Sequence, residues 1–470
     1  MAVLKRGMAL ATTHPYIPNA SPRVRKQMLR QIGVESIDEL FSDIPDEMRL
    51  KNALDLPEPL LSEYALSRHV NRIMSKNTTC SEYTRFLGAG CYNHYVPAVC
   101  DEIAGRGEFL TAYTGDTYED HGRWQALFEY ASLVGELVSM DVVSVPTYDF
   151  AQAAATSLCM AARITGRKHA VIAGAVSRER RGIIEGYSRP TMNLDVSAYN
   201  PLSGEADRRS LESLLTADTA AVYVETPNYF GVIDKALNEI REICDSCGAL
   251  LVVGQDPICL GLFRPAASFG ADIVCGDLQV LGNHMNYGGG LSGFIATRDE
   301  PRYVMQYPSR LVGITPTLEE GEFGFGEVAF SRTSFIEREH GREYVGTGTS
   351  LLAIISGVYL ALMGPQGMRQ LALGIMQRTA YAARRLNSIP GVRSPALSGA
   401  SFREIVVNFD GTSKSVKQVN EALLERRIIG GKDISEEFCE LGQSALYCIT
   451  EMHTKQDIDA LVDALTEVLS

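Results

Sequence analysis

With 470 residues, 45% hydrophobic and 21% charged, the chain has the balance of a folded globular protein with room for two or three domains. A formal net charge of −13 argues against nonspecific binding to nucleic acid or to an anionic membrane surface, and neither is expected as a partner. No run of about 18 apolar residues is apparent, so no membrane-spanning helix is expected, and the start MAVLKRGMALATTHPYIPNA has no long apolar core, so no signal peptide is expected.

In chain order, SPRVRKQMLRQIG predicts a polar helix, and Ser36 with Glu39 fits a capping box for a short second one. DLPEP, Asp55 to Pro59, marks a linker, and a further helix is predicted from about Ser62 to Met74. The segment from Phe109 to Val142 has helical period. Apolar strands are then predicted at 169–174, 220–225, 249–254, 272–277 and 291–297, with helices between most of them. That alternation indicates a largely parallel sheet buried on both faces. A long helical run begins at Leu351. The tail alternates strand 404–409, helix, strand 445–450 and helix, which predicts a small α/β domain. The expected organisation is a helical N-terminal arm over 1–105, a large α/β domain over 106–350 and a small C-terminal α/β domain over 351–470.

The ten cysteines are scattered, many of them in apolar contexts, which suits free thiols and a cytoplasmic location. Cys244 and Cys247 form the one CxxC pair, with no second Cys/His pair beside it. Helix-end packing is the expected role, and no metal site is expected.

The order of parts resembles the aspartate-aminotransferase type of pyridoxal-phosphate-dependent enzyme, the fold-type-I transferase fold. The segments FLGAGCYNHYVPAV (86–99), GEFLTAYT (107–114), QDPICLG (255–261), FGADIVCGD (269–277) and RRIIGGKD (426–433) narrow the likeness. They resemble glycine decarboxylase, the P-protein of the glycine cleavage system, and more closely its N-terminal-half subunit where that protein is split in two. The resemblance runs from about residue 30 to the end.

In that family only the other, homologous subunit carries the lysine that holds pyridoxal phosphate. The resemblance puts Val280 at the approximate place of this lysine. The residues say the same independently: no lysine occurs from Ala236 to Ser413. A valine has no nucleophile to condense with an aldehyde. No catalytic residue is therefore expected on this chain.

Five residues are candidates for cofactor contact. Asp256 ends a predicted strand, where the fold class has an acid facing the pyridine nitrogen; the alternative is a carboxylate capping the next turn. His284 lies beside the glycine-rich stretch GNHMNYGGG, which in the family borders the cleft between subunits; a structural histidine is the alternative. Thr347, Gly348 and Thr349 form a turn before a helix, suited to a phosphate in trans. Gln279 is a further candidate only if the cofactor were held noncovalently.

Other loops depart from the family. Phe150 and Gln152 stand where a glycine and a hydroxyl residue are expected in the phosphate cradle, and a bulky Phe there would obstruct a phosphate. Asp149 could cap the following helix. Asp116, Glu119, Asp120 and His121 replace another loop. Arg178, Arg180 and Arg181 read as a solvated face rather than an anion site.

The resemblance implies subunit 1 of a glycine decarboxylase, an oxidoreductase inactive alone. With a lysine-bearing subunit 2 it would decarboxylate glycine and pass the aminomethyl group to the lipoylated carrier (H) protein. Pyridoxal phosphate would be bound through the partner's lysine. A repurposed paralogue acting on another amino acid and a non-catalytic scaffold are the alternatives.

Overall fold

The computed structural model describes residues 17, 19, 21–50, 52, 54–110, 121–308, 310–333, 339, 341–342 and 349–470. The chain divides into two compact units, Met1–Asn77 and Thr78–Ser470.

In the first unit, the helix Pro22–Ile32 begins at Ser21, whose hydroxyl accepts from the Val24 N–H at 3.3 Å, and it ends at Gly33 with φ of 90°. The predicted capping box is present. Glu39 accepts from the Ser36 N–H at 2.9 Å, and Ser36 Oγ accepts from the Glu39 N–H at 3.4 Å. A second helix spans Glu63–Met74. No described side chain from 17 to 77 is buried, and Leu54, Leu56, Leu61 and Tyr64 are exposed.

The second unit begins with β1 (Thr84–Arg85) and is built on seven strands: β2 (Val142–Val143), β3 (His169–Ala173), β4 (Asn193–Val196), β5 (Thr219–Thr226), β6 (Leu250–Gln255), β7 (Ile273–Asp277) and β8 (Gly293–Thr297). Their order is β2-β8-β7-β6-β5-β3-β4. Strands β4, β3, β5, β6 and β7 are parallel, and β8 runs antiparallel to both β7 and β2. The predicted strands are all present. Strands β2 and β4 carried no clear signal, being short or largely exposed.

Successive residues go to opposite faces, as a sheet covered on both sides requires. Val222, Val224, Leu251, Val253 and Val274 enter one core. Tyr223, Leu250, Val252, Ile273 and Cys275 enter the other. A hairpin of β9 (Leu311–Pro316) and β10 (Phe323–Val328) follows, and it was not anticipated.

The helix Ser350–Leu386 is broken at Gly364–Pro365. By length and hydropathy it could cross a membrane, contrary to the expectation from apolar runs. Its Ala353, Ile354, Tyr359, Ala372 and Ile375 are buried in the core of the first sheet face instead. Beyond it, β11 (Glu404–Asn408), β12 (Ile428–Ile429), β13 (Lys432–Asp433) and β14 (Ser444–Cys448) complete the strands. β11, β14 and β13 form a small antiparallel sheet backed by the helices Val416–Glu425 and Lys455–Leu469.

Residues 78–105, expected in the N-terminal arm, belong to the second unit. There β1 pairs with β12, and the Tyr92 backbone is bonded by the Gln279 side chain at 3.0 and 2.9 Å. The cause is long-range pairing, which leaves no local trace in the sequence.

Candidate functional site

Strands β5, β6 and β7 end side by side, Glu225 opposite Gly254 and Gln255 opposite Gly276. Ligand sites in such sheets lie at these carboxyl ends. A cavity of about 40 Å³ sits there. Glu225, Asp256 and Asp277 come from the three strand ends, Phe150 and Arg180 from the helices Phe150–Thr165 and Arg178–Ser188, and Tyr92, Arg403 and Glu404 from the two flanking segments.

Val280 lines this cavity and is 1% exposed. The side chain expected in place of a lysine therefore does face the sheet's ligand edge, and it offers only methyl groups. Leu278, Leu281 and Phe294 share its core.

Phe150 fills the space beside it. Its ring lies against Gly254, where an added Cβ would meet Phe150 Cζ at 2.8 Å and the Tyr223 hydroxyl at 2.6 Å. Only a glycine at 254 allows this approach. The Arg180 guanidinium stacks on the Phe150 ring at 4.0 Å and bonds Glu225 at 2.6 Å. Glu225 also accepts from the Tyr223 hydroxyl at 2.9 Å.

This overturns the reading of the three arginines as one solvated face. Arg181 pairs with Glu185 at the half-exposed surface, and Arg178 is exposed. Arg180 turns inward, because the helical period places it on the opposite side from 178 and a buried acid waits there. Burial opposes the Arg180 charge, but Glu225 together with Tyr223 and Tyr92 outweighs it and holds the guanidinium charged.

Asp256 uses both oxygens within the chain. Oδ1 accepts from the N–H groups of Ile258 at 2.8 Å and Cys259 at 3.4 Å, capping the turn after β6. Oδ2 is ion-paired with Arg403. Arg403 stacks on Tyr92 at 3.5 Å and bonds His94 at 3.1 Å; His94 in turn bonds Glu451 at 2.7 Å. Of the two roles expected for Asp256, turn capping is the one seen, and Arg403 stands where an external partner would need to be. Sequence reasoning missed Arg403, Tyr92 and Glu404. Arg403 has φ of 61°, an uncommon conformation for a side-chain-bearing residue, but only the fold shows it.

Burial pushes the Asp277 carboxyl up to about 7, with the Gln279 N–H and Arg180 opposing the rise. Burial likewise raises Glu404, against the pull of Arg403, the Ala89 N–H and the Tyr92 hydroxyl.

None of the remaining candidates among the described residues lines the cavity. His284 is on the surface, paired with Asp101 at 2.8 Å with both side chains about 60% exposed. Thr349 is tied within its own chain, donating to the Thr147 carbonyl at 2.8 Å and bonding Ser292 at 2.9 Å. Thr347 and Gly348 lie outside the described residues, as do Asp116, Glu119, Asp120 and the His121 side chain. Gln279 is buried and spent on the Tyr92 and Asn283 backbone. Cys244 and Cys247 close a helix end, as expected.

Pyridoxal phosphate, which the resemblance implies, does not fit this chain's own cavity. The volume is too small for a ring and a phosphate. Asp149 caps the helix that would cradle the phosphate, accepting from the Gln152 N–H at 2.7 Å. Gln152, in turn, accepts from the Tyr148 N–H at 2.7 Å.

Comparison with known proteins gives the family and the fold. The family model described as glycine cleavage system P-protein matches residues 14–465. A probable glycine dehydrogenase (decarboxylating) subunit 1 from Staphylothermus marinus is 39% identical over 467 residues, covering 97% of this chain and 99% of that protein. One of the same description from Pyrococcus abyssi is 38% identical over 458 residues, with coverage of 97% and 99%. The crystal structure of a glycine decarboxylase (P-protein) of the glycine cleavage system, in inhibitor-bound form, superposes with a TM-score of 0.86 at 32% identity, covering 97% of this chain and 100% of that one. A sphingosine-1-phosphate lyase from Burkholderia pseudomallei shares the fold alone, at 15% identity and a TM-score of 0.64, over 89% of this chain and 92% of its own. The fold is that of the fold-type-I pyridoxal-phosphate-dependent enzymes.

Proposed function

The chain belongs to the glycine cleavage system P-protein family, and from that premise we propose that it is the lysine-less subunit of a two-chain glycine decarboxylase. The observation that carries this reading is the cavity itself. It lies where the fold holds a cofactor, yet it presents Val280 and is filled by Phe150 and two internally paired arginines. Such a chain needs a homologous partner bearing the lysine, on which pyridoxal phosphate is held. The pair would release the carboxylate of glycine as carbon dioxide and pass the aminomethyl group to a lipoylated carrier protein.

This subunit's own part is to shape and stabilise the shared assembly. The exposed leucines and Tyr64 of residues 54–64 supply an apolar surface of the kind an obligate partner covers. Free thiols at all ten cysteines suit a reducing cytosol.

The test is co-purification with a lysine-bearing homologue followed by glycine/bicarbonate exchange. Exchange by the complex and none by either chain alone is the expected result. A complex that binds the cofactor but does not exchange glycine would move the substrate to another amino acid. Failure to pair would leave a non-catalytic scaffold.

A further inference from the structure

A second cleft, of about 380 Å³, shares only Pro227 and Gln255 with the strand-end cavity. Its volume is within the range of about 300–1000 Å³ typical of small-molecule sites. Pro227, Ile233, Leu237, Leu262, Phe263 and Phe269 make its wall apolar. Ile233, Leu262, Phe263 and Phe269 pack against the core but stay only half-buried, so part of each is left uncovered.

Its oxygen acceptors are spent on the chain's own backbone. Thr226 Oγ1 accepts from the Asp234 N–H at 3.2 Å, and Gln255 Oε1 accepts from the Ala266 N–H at 3.1 Å. The two Asp234 oxygens accept from the N–H groups of Ala206 at 2.9 Å and Ala236 at 2.8 Å. The two cations of the lining, Lys235 and Arg264, are both exposed, and neither is ion-paired among the described residues. Arg264 is nonetheless held in place. Its guanidinium stacks on Phe269 at 4.8 Å, and Nη2 donates to the Ser268 carbonyl at 3.4 Å. Two cations therefore face one internally satisfied carboxylate, in a chain whose net charge is −13. A neutral apolar molecule would leave both cations unused, and an apolar cation would be repelled. An anion with an apolar body satisfies both halves of the cleft.

We propose that this cleft is a binding site for a small aromatic carboxylate, its ring on Leu262, Phe263 and Phe269 and its carboxylate accepting from Lys235 and Arg264. Charge-assisted hydrogen bonds of this kind are the stronger class. A ring suits the two phenylalanines, and it loses fewer rotors on binding than an alkyl chain of equal area. Cys259, in the wall of the cleft, belongs to the turn that Asp256 caps, so the bound acid also steadies the turn after β6. The cleft is an effector site and holds no group that would react with such an acid.

The experiment is calorimetric titration of the purified full-length chain, with naphthalene-1-acetate as the probe. Naphthalene-1-acetamide, which keeps the ring and loses the charge, and acetate, which keeps the charge and loses the ring, are titrated in parallel. The expected result is saturable one-site binding of the acid, with the amide at least tenfold weaker and acetate showing no saturable binding. The double variant Lys235→Gln/Arg264→Gln, at two exposed positions, should weaken the acid at least tenfold, with circular dichroism confirming its fold. The comparison of acid with amide is made on the unaltered chain, so it carries the test even if the variant does not fold. No saturable binding of the acid, an amide as tight as the acid, acetate as tight as the acid, or unchanged binding in the folded variant overturns the proposal. Neither partner nor cofactor enters the titration, so failure here is distinct from failure of the decarboxylase reading.

Discussion

Arg403 and Asp256 are ion-paired across 147 residues of chain, joining the segment before β11 to the end of β6. Both side chains are largely buried, so each is the other's principal charge compensation. Removing one member of a buried pair leaves the other uncompensated, at a cost of about 3–5 kcal/mol. Arg403→Met should lower stability by that order in urea unfolding, with Asp256 stranded. The double variant Arg403→Met/Asp256→Asn should recover a large part of the loss, and a simple sum of the two single losses would show that the pair is not coupled.

Asp277 sets a pH dependence. Its folded carboxyl is pushed up to about 7 from an ordinary 3.8, by burial first. The folded state thus holds the proton more tightly than the unfolded chain. The stabilisation is complete below about pH 4 and is lost as the pH rises through about 7. Arg180 opposes this rise, whereas Asp256 and Asp149 reinforce it. Asp277→Asn should flatten that slope, and its advantage over the parent should be greater at pH 8 than at pH 5, by roughly 2–3 kcal/mol. Urea midpoints at the two pH values read this directly.

The closed cavity predicts how the isolated chain meets pyridoxal phosphate. Incubation followed by borohydride should leave no pyridoxyl label on any residue from 236 to 413, a span with no lysine. Val280→Lys alone should stay unlabelled, because the Phe150 ring still fills the site. Val280→Lys combined with Phe150→Gly should become labelled, as peptide mass spectrometry would show.

The exposed residues of the first unit should matter for assembly and not for folding. Leu61→Asp and Tyr64→Asp change side chains that make no core, so the stability of the isolated chain should move by less than about 0.5 kcal/mol. Affinity for the lysine-bearing partner should fall at least tenfold in a pull-down titration.

His284→Ala removes one half of an exposed hydrogen-bonded pair with Asp101, a contact of about 0–1 kcal/mol. Thermal unfolding of the isolated chain should barely change. A large loss of exchange in the assembled complex, with unfolding unaffected, would then report a contact that His284 makes in trans.

The sequence by itself determined that the span from 236 to 413 has no side-chain amine for an aldehyde, since no lysine occurs there. It also determined the sheet, because a strand buried on both faces must be apolar throughout, and β5, β6 and β7 read that way. The caps at Ser36 and Asp149 were legible because a cap is set by residues three positions apart. Tertiary structure alone decided that Arg180 points inward to Glu225, that Arg403 meets Asp256, and that Phe150 closes the cavity over Gly254. Charged side chains carry no periodic mark of burial, and each of these contacts joins parts of the chain far apart in sequence. Only the folded sheet, bringing its strand ends together, puts these groups within reach of one another.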